Sequence, residues 1–424
     1  MNVNSTTRTR SVNIHMNNIG ISVCVCQLGA RLHYGASRSF ERKGALQSLF
    51  TDICATKGWP KLLRATPPSL RPASLKRLLG RDTVDIPEQK IVMYPRLGLE
   101  YQWRLSRCRT DAERIRVHLQ IGKKFGQLCA RTGFGRATHT YTFSCAGLEI
   151  MEAAREAGLK TVVEQPAAAS EVEEEIMREE RVRYPGWEQY ASCEDELRAY
   201  AARQRREWNL ADRIVVPSKF VATSLERVGV SPGRFVTVPY GVSGLFGKIV
   251  REKHTGPLRV LTVGAVRLQK GPQYTSEAAR RLGKGFEFRF VGGCALLDPA
   301  KKEISKHVHF VGSVPRSEVL KYFQWADVFV LPSLCEGMAT VLLEALAAGL
   351  PVITTLNSGL AVNEGVEGYL VPIRDSNAIA ERLNQLASDP ALLAEMSRNA
   401  KKRSENFTLA AYSDRLCRAI VEAR

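Results

Sequence analysis

No stretch of the sequence reaches the roughly 20 uninterrupted apolar residues that a membrane-spanning helix needs. The best apolar run, VLLEALAAGLPVI, is broken by Glu344 and Pro351. The N-terminal MNVNSTTRTRSVNIHMNN does not lead into a secretory apolar region either, because GISVCVCQLGA runs straight into Arg31 and His33; no export signal is read here. The ten cysteines form no CxxC pair or regular framework, a pattern that suits a reducing cytosol. Cys24 and Cys26 fall on one strand face and are expected to be small buried residues. No cysteine or carboxylate stands at ligand spacing beside His307 and His309, which argues against a metal there. A DxD triplet, which would hold a divalent metal on a diphosphate, is also missing. There is no RNP-type aromatic motif, zinc finger, helix-turn-helix signature or internal repeat. The formal net charge of +18 therefore points to a phosphorylated ligand or an anionic membrane surface before nucleic acid.

What is present is the composition of a globular protein. With 424 residues the chain exceeds one ordinary core and suits two domains with a cleft between them. Apolar runs alternate with helical stretches, which implies parallel sheets. In the first half the expected strands are 19–26, 140–143, 161–164 and 213–217, with a glycine-containing turn (Gly29, Gly35) after the first. A polar stretch from 243 to 257 reads as a linker. In the second half the expected strands are 258–266, 286–293, 307–314, 326–333, 351–355 and 368–372. The acidic run EVEEEIMREE (171–180) reads as a solvated helix face. The Leu- and Arg/Lys-rich stretch from Lys61 to Arg81 could lie on an anionic membrane, although prolines at 67, 68 and 72 leave only a short helix.

In a parallel α/β domain ligands bind beyond the carboxyl ends of the strands. The segment ADVFVLPSLCEGMATVLLEALAAGLPVI supplies a strand, a loop carrying Cys335 and Glu336, and a helix expected from about Met338 until Gly349 and Pro351 stop it. Backbone N–H groups of Gly337, Met338 and Ala339 at its start would favour a phosphate or pyrophosphate, and Gly337 removes a side chain that would block close approach. Glu336 and Glu344 lie eight residues apart, about 12 Å if helical, and two carboxylates so placed can accept hydrogen bonds from hydroxyls at opposite ends of a nucleotide sugar. Glu344 sits among apolar residues, where an unpaired carboxylate is costly, so something should satisfy it. Arg267 and Lys270, on the turn VGAVRLQKGPQY, are placed to neutralise a departing nucleoside diphosphate. Gly292 and Gly293 end another strand, where backbone could approach a ligand.

These residues carry a resemblance to the family 4 glycosyltransferases, retaining enzymes of the GT-B fold. Glu336 and Glu344 match the family's Glu-x7-Glu signature within PSLCEGMATVLLEALAAGLPVITT, and ADVFVLPS and GVEGYLVPIRD flank it; the match covers about 255–424 well. The resemblance implies two Rossmann-like α/β domains facing across a cleft: 1–245 for the acceptor, 255–405 for the donor, and 406–424 as a helix crossing back to the first domain. It also implies that Glu336 contacts the donor sugar, Glu344 the ribose hydroxyls and Lys270 the diphosphate, with Gly29 on a first-domain loop facing the phosphates. Ala265 stands where the family usually has arginine, so Arg267 is the candidate to replace it. Glu164 and Gln165 stand where members often carry a histidine; His139 is a distant alternative. The implied activity is transfer of a sugar from a UDP- or GDP-sugar to an acceptor glycan or lipid-linked sugar, as in polysaccharide biosynthesis. No metal or other cofactor is expected, nor nucleic acid. The expected location is the cytoplasm, with peripheral attachment to the inner face of the membrane as an option. A nucleotide-sugar epimerase, a sugar-phosphate synthase or a non-catalytic nucleotide-sugar-binding protein would use the same scaffold.

Overall fold

The computed structural model describes Met16 and residues 20–252, 254–359 and 362–422. Most of the N-terminal stretch read for an export signal, Ile19 of the first expected strand and the last two residues of the C-terminal helical stretch lie outside the described residues.

Thirteen strands form two sheets. The first sheet contains β1 (Val23–Gln27), β2 (Leu46–Thr51), β3 (Ile91–Met93), β4 (His139–Phe143), β5 (Lys160–Glu164), β6 (Arg213–Val216) and β7 (Phe235–Thr237). The second contains β8 (Leu258–Val263), β9 (Phe286–Val291), β10 (His309–Gly312), β11 (Val328–Leu331), β12 (Val352–Thr354) and β13 (Gly368–Leu370). Every pairing within both sheets is parallel, in the orders β3-β2-β1-β4-β5-β6-β7 and β10-β9-β8-β11-β12-β13. Helices cover both faces, so β1 and β11 are buried from end to end, β11 with apolar residues alone and β1 with Gln27 as its one polar side chain. Two such lobes, with the helix Leu409–Val421 packed back on the first through Ser413–Ser39 (2.8 Å) and Lys43–Asp414 (2.7 Å), make the GT-B fold.

The strand order reverses between β1 and β4 in one sheet and between β8 and β11 in the other. At such a switch point the loops leave in opposite directions and open a crevice beyond the strand ends. The crevice loops are 28–34 after β1, 264–271 after β8 and 332–339 after β11. Three strands escaped the sequence reading. β3 and β7 are three residues long, and β2 interrupts its apolar pattern with half-buried Gln47 and Ser48.

The acidic run is not the solvated face that its charge suggests. It lies in the helix Ser170–Arg183, a crossover of the first sheet that docks on the second lobe. Met177 joins the second lobe's core, and Ile176, Tyr184 and Trp187 pack against it. Glu180 is fully buried: its Oε1 accepts from Gln273 Nε2 (2.6 Å) and the Tyr274 hydroxyl (2.7 Å), and its Oε2 from Arg374 Nε (2.9 Å). Arg374 also donates to Glu179 (2.6 Å) and to the Ile176 carbonyl (3.0 Å). Only the outer carboxylates behave as expected, pairing at the surface as Glu171–Arg205 and Glu175–Arg227 do.

Removing one partner of a buried ion pair leaves the other uncompensated, at about 3 kcal/mol. Glu180→Ala should therefore lower stability by about that amount in urea unfolding, whereas Glu175→Ala should stay within about 0.5 kcal/mol of wild type. Equal losses would mean that the helix does not clasp the second lobe.

Candidate active site

Lys270 ends a single 3-10 turn, Leu268–Lys270, that follows β8, and Glu336 lies on the loop after β11. The switch-point geometry brings the two loops side by side, and the Lys270 ammonium forms an ion pair with Glu336 Oε1, both side chains being mostly buried. Arg267 opens the same turn and is exposed. The turn is fixed from the first lobe: Glu188 Oε1 accepts the Leu268 N–H (2.7 Å), and Glu173 Oε1 accepts from Gln269 Nε2 (3.1 Å). Gln269 in turn donates to the Cys335 carbonyl (2.8 Å) and accepts the Leu334 N–H through its own backbone (2.8 Å).

The loop 335–339 is equally constrained. A Cβ on Gly337 would overlap the Pro166 carbonyl of the first lobe, and Ser218 Oγ donates to the Gly337 carbonyl (2.6 Å). The Tyr240 N–H reaches Met338 Sδ (3.2 Å). The Ala339 N–H is taken by the Ser358 carbonyl (3.0 Å), and the helix begins only at Thr340, running to Ala347. Three expectations change accordingly. The space that Gly337 vacates is filled by the protein's own backbone, Ala339 offers no free N–H, and the helix start lies two residues later than its sequence suggests. Gly292 is similar: a Cβ there would overlap the Gly264 carbonyl, so this glycine packs one crevice loop on another, while the Gly293 carbonyl accepts the Val266 N–H (2.8 Å).

Glu344 is buried on that helix, and Arg316, just beyond β10, satisfies it across 2.8 Å. Burial raises its carboxyl pKa, with Arg316 opposing. Beside Glu344 a cavity of about 570 Å³ opens between the lobes, lined among others by Leu32, His33, Arg38, Arg316, Thr340 and Tyr412. Leu32, His33 and Tyr34 all have positive φ (47°, 49° and 61°), a left-handed run that costs non-glycine residues about 1–2 kcal/mol each. Gln27 Nε2 holds the run in place by donating to the carbonyls of Gly29 and Arg31, both at 3.0 Å. Gly29, on this loop, gives its N–H to Asp52 (3.0 Å), which follows β2.

The first-lobe candidates for a histidine's place fare differently. Glu164 is buried with its oxygens taken by the hydroxyls of Tyr141 (2.5 Å) and Tyr240 (2.8 Å), and burial raises its pKa. His139 begins β4, at the end of the strand away from the crevice, and binds Thr138 (2.8 Å). Its position removes it as a site candidate. Among the described residues, no group of three or more His, Cys, Asp or Glu side chains is placed to hold a metal ion, and no helix is long and apolar enough to cross a membrane.

Residues 248–403 match the family model Glycosyl transferases group 1. The amylovoran biosynthesis glycosyltransferase AmsK of Erwinia amylovora is 32% identical over 184 residues, 40% of this chain and 42% of its own. The glycogen synthase of Mycobacterium tuberculosis (strain ATCC 25618 / H37Rv) is 33% identical over 163 residues, 36% of this chain and 39% of its own. The chain thus spans less than half the length of these relatives. Two solved structures resemble the whole architecture, each covering 95% of this chain and 100% of its own. Anabaena Alr3699/HepE in complex with UDP and glucose has a TM-score of 0.62 at 13% identity, and sucrose-phosphate synthase from Thermosynechococcus elongatus a TM-score of 0.60 at 18% identity.

Sequence reasoning missed Glu173, Glu188 and Arg316. A signal existed for the first: Glu173, Ile176, Met177 and Glu180 repeat at i, i+3, i+4 and i+7, which puts them on one helix face. Burial raises the Glu173 carboxyl to about 7, Arg267 pulls it down and Glu336 pushes it up. Because the folded value exceeds the unfolded one, the stability that Glu173 contributes is complete below about pH 4.5 and is lost as pH rises through about 7. Glu173→Gln, which keeps an acceptor for Gln269, should flatten the fall in unfolding free energy between pH 5 and 8 relative to wild type. The same fall in unfolding free energy in wild type and variant, measured by urea unfolding at the two pH values, would show that this carboxyl binds no extra proton in the folded state.

Proposed function

We propose that the chain is a retaining, metal-independent glycosyltransferase of family 4 that moves a sugar from a UDP- or GDP-sugar to an acceptor hydroxyl of a glycan or lipid-linked sugar. The observation that carries this reading is the meeting of Lys270 and Glu336 at the switch-point crevice of the region 248–403 that matches group 1 glycosyl transferases. A nucleotide sugar has an anionic diphosphate beside a neutral, hydroxyl-bearing ring, and an adjacent ammonium and carboxylate complement those two parts. In this reading 255–405 binds the donor, 1–245 the acceptor, and 406–424 ties the lobes together.

The roles follow from the chemistry of each group. Lys270, mostly buried and held by its ion pair, stabilises the charge that grows on the leaving diphosphate, and the exposed Arg267 on the same turn adds to it from the solvent side. Glu336 accepts hydrogen bonds from the donor sugar. Glu344 accepts from the ribose hydroxyls, and Arg316, bonded to its Oε1, opposes the rise that burial gives its pKa and aims the carboxyl. Front-face displacement, with the leaving phosphate taking the acceptor's proton, is the route that the family resemblance suggests. It needs no histidine in the first lobe, which suits a site where Glu164 is already engaged by two tyrosines.

Lys270→Ala and Glu336→Gln should each lower transfer by about 10²-fold or more, the usual scale for losing one transition-state contact of this kind; breaking a mostly buried pair also lowers the melting temperature, so transfer is compared at a temperature where circular dichroism shows each variant folded. A thermal-shift panel of UDP, GDP, ADP and TDP with their sugars should single out one base, since a ligand bound only by the folded state raises the melting temperature. Full activity in both variants, or no shift with any nucleotide, would refute the assignment. Turnover of donor in the absence of acceptor would point instead to an epimerase.

A further inference from the structure

Between β2 and β3 the chain makes an excursion away from the first sheet. Residues 57–81 contain seven lysines and arginines and no acidic residue. The segment folds as the short helix Trp59–Leu62, 3-10 turns at Leu63–Ala65 and Pro68–Leu70, and the helix Ala73–Leu79. Arg71 binds the turns into one unit by donating to the carbonyls of Thr66 (2.8 Å) and Arg64 (2.9 Å). Apolar side chains nevertheless face outward: Leu62 is 75% exposed, Leu70 71% and Trp59 44%. Three of the cations are spent internally, in the pairs Lys61–Glu88, Arg64–Asp82 and Arg81–Asp52. Lys76 and Arg77 lie exposed on the second helix.

We propose that this excursion is a docking surface for an anionic phospholipid bilayer, with Trp59, Leu62 and Leu70 entering the interface and Lys76 and Arg77 facing the headgroups. Exposed leucines beside a tryptophan gain by burial at the acyl boundary, and each cation near an anionic surface adds about fivefold to partitioning. A nucleic acid would be drawn by the same charges, but protruding leucines offer a polyanion nothing. Position gives the surface a purpose. The excursion leaves the crevice end of β2, and Arg81 at its close pairs with Asp52 (2.6 Å), which also holds the Gly29 N–H of the loop after β1. Docking would bring the crevice edge of the first lobe to the headgroup plane, where a lipid-linked acceptor presents its sugar. That consequence rests on the function proposed above; the docking itself does not.

The test is co-sedimentation of the full chain with sucrose-loaded vesicles, either of phosphatidylcholine alone or of equal parts phosphatidylcholine and phosphatidylglycerol. Pelleting is expected with the anionic vesicles, weaker as salt rises and weak without phosphatidylglycerol. Leu62→Ser with Leu70→Ser should reduce binding at least about tenfold, and Lys76→Glu with Arg77→Glu by at least as much; all four side chains are exposed, so melting temperature and donor-induced shift should not change. No pelleting, pelleting unaffected by either double variant, or capture of a short DNA duplex or poly-uridine RNA without vesicle binding would overturn the proposal. The two readings fail separately. A chain that pellets but transfers no sugar would keep this surface and lose the enzymatic reading, and one that transfers sugar to a soluble acceptor but never pellets would do the reverse.

Discussion

The Glu180 carboxylate lies out of water in a lobe to which its own helix does not belong. Such a charge is tolerated only where several partners reach it together, and here Gln273 and Tyr274 do so from one helix of the second lobe and Arg374 from the loop beyond β13. Any slide of the helix Ser170–Arg183 along that lobe would break all three bonds at once, so the relative position of the lobes is set to within hydrogen-bonding tolerance. The rest of the crevice inherits this constraint. Glu173, two turns earlier on the same helix, holds Gln269, and Glu188, just after it, holds the Leu268 N–H. The turn that carries Lys270 is therefore shaped as much by the first lobe as by its own strand.

The loop carrying Glu336 is pinned in the same manner from another side. Pro166 fills the space above Gly337, Ser218 takes its carbonyl, and Tyr240 reaches Met338. Lys270 and Glu336 each sit on a loop braced across the lobe boundary, so their ion pair reports the assembly of both lobes. An oxygen-rich ligand entering there would meet groups already held in position, and little ordering would remain to be done on binding. The left-handed run Leu32–Tyr34 fits this picture: its strain is sustained by Gln27 and by a Tyr34 hydroxyl that reaches the Ile53 carbonyl (3.3 Å).

Much of this was legible in the residues. The second lobe's strands read clearly because β8 and β11 are buried on both faces and admit few polar residues, and the helix after β11 announced itself by an apolar stretch between glycines. What stayed hidden depended on which group meets which across the lobes. Glu173 and Glu180 look like any glutamates of a solvated acidic helix, since sequence carries charge but not the identity of what lies opposite. Gly337 reads as room for a ligand because a glycine permits close approach without saying by what; here it is a carbonyl of the same chain. The start of the helix at Thr340 shifted for a similar reason, the Ala339 N–H being claimed by Ser358, a residue almost twenty positions later.

Charge pairing decides where the excess positive charge can act. At the crevice the cations meet carboxylates, Lys270 with Glu336 and Arg316 with Glu344, so the site is close to locally neutral and works by directed contacts. On the helices around the first sheet some cations are also paired, Arg203 with Glu149 and Arg181 with Glu174, whereas Asp111–Thr132 and Pro390–Ser404 each carry an excess of lysine and arginine. Part of the net charge of +18 lies in the run 57–81, which has seven lysines and arginines and no acid of its own. Pairing inside it consumes Lys61, Arg64 and Arg81 on acids that flank it, which orients the excursion and leaves Lys76 and Arg77 outward with the exposed leucines. Positive charge is thus paired with carboxylates at the crevice and partly unpaired on the excursion, beside exposed leucines, which is the combination an extended anionic surface would favour.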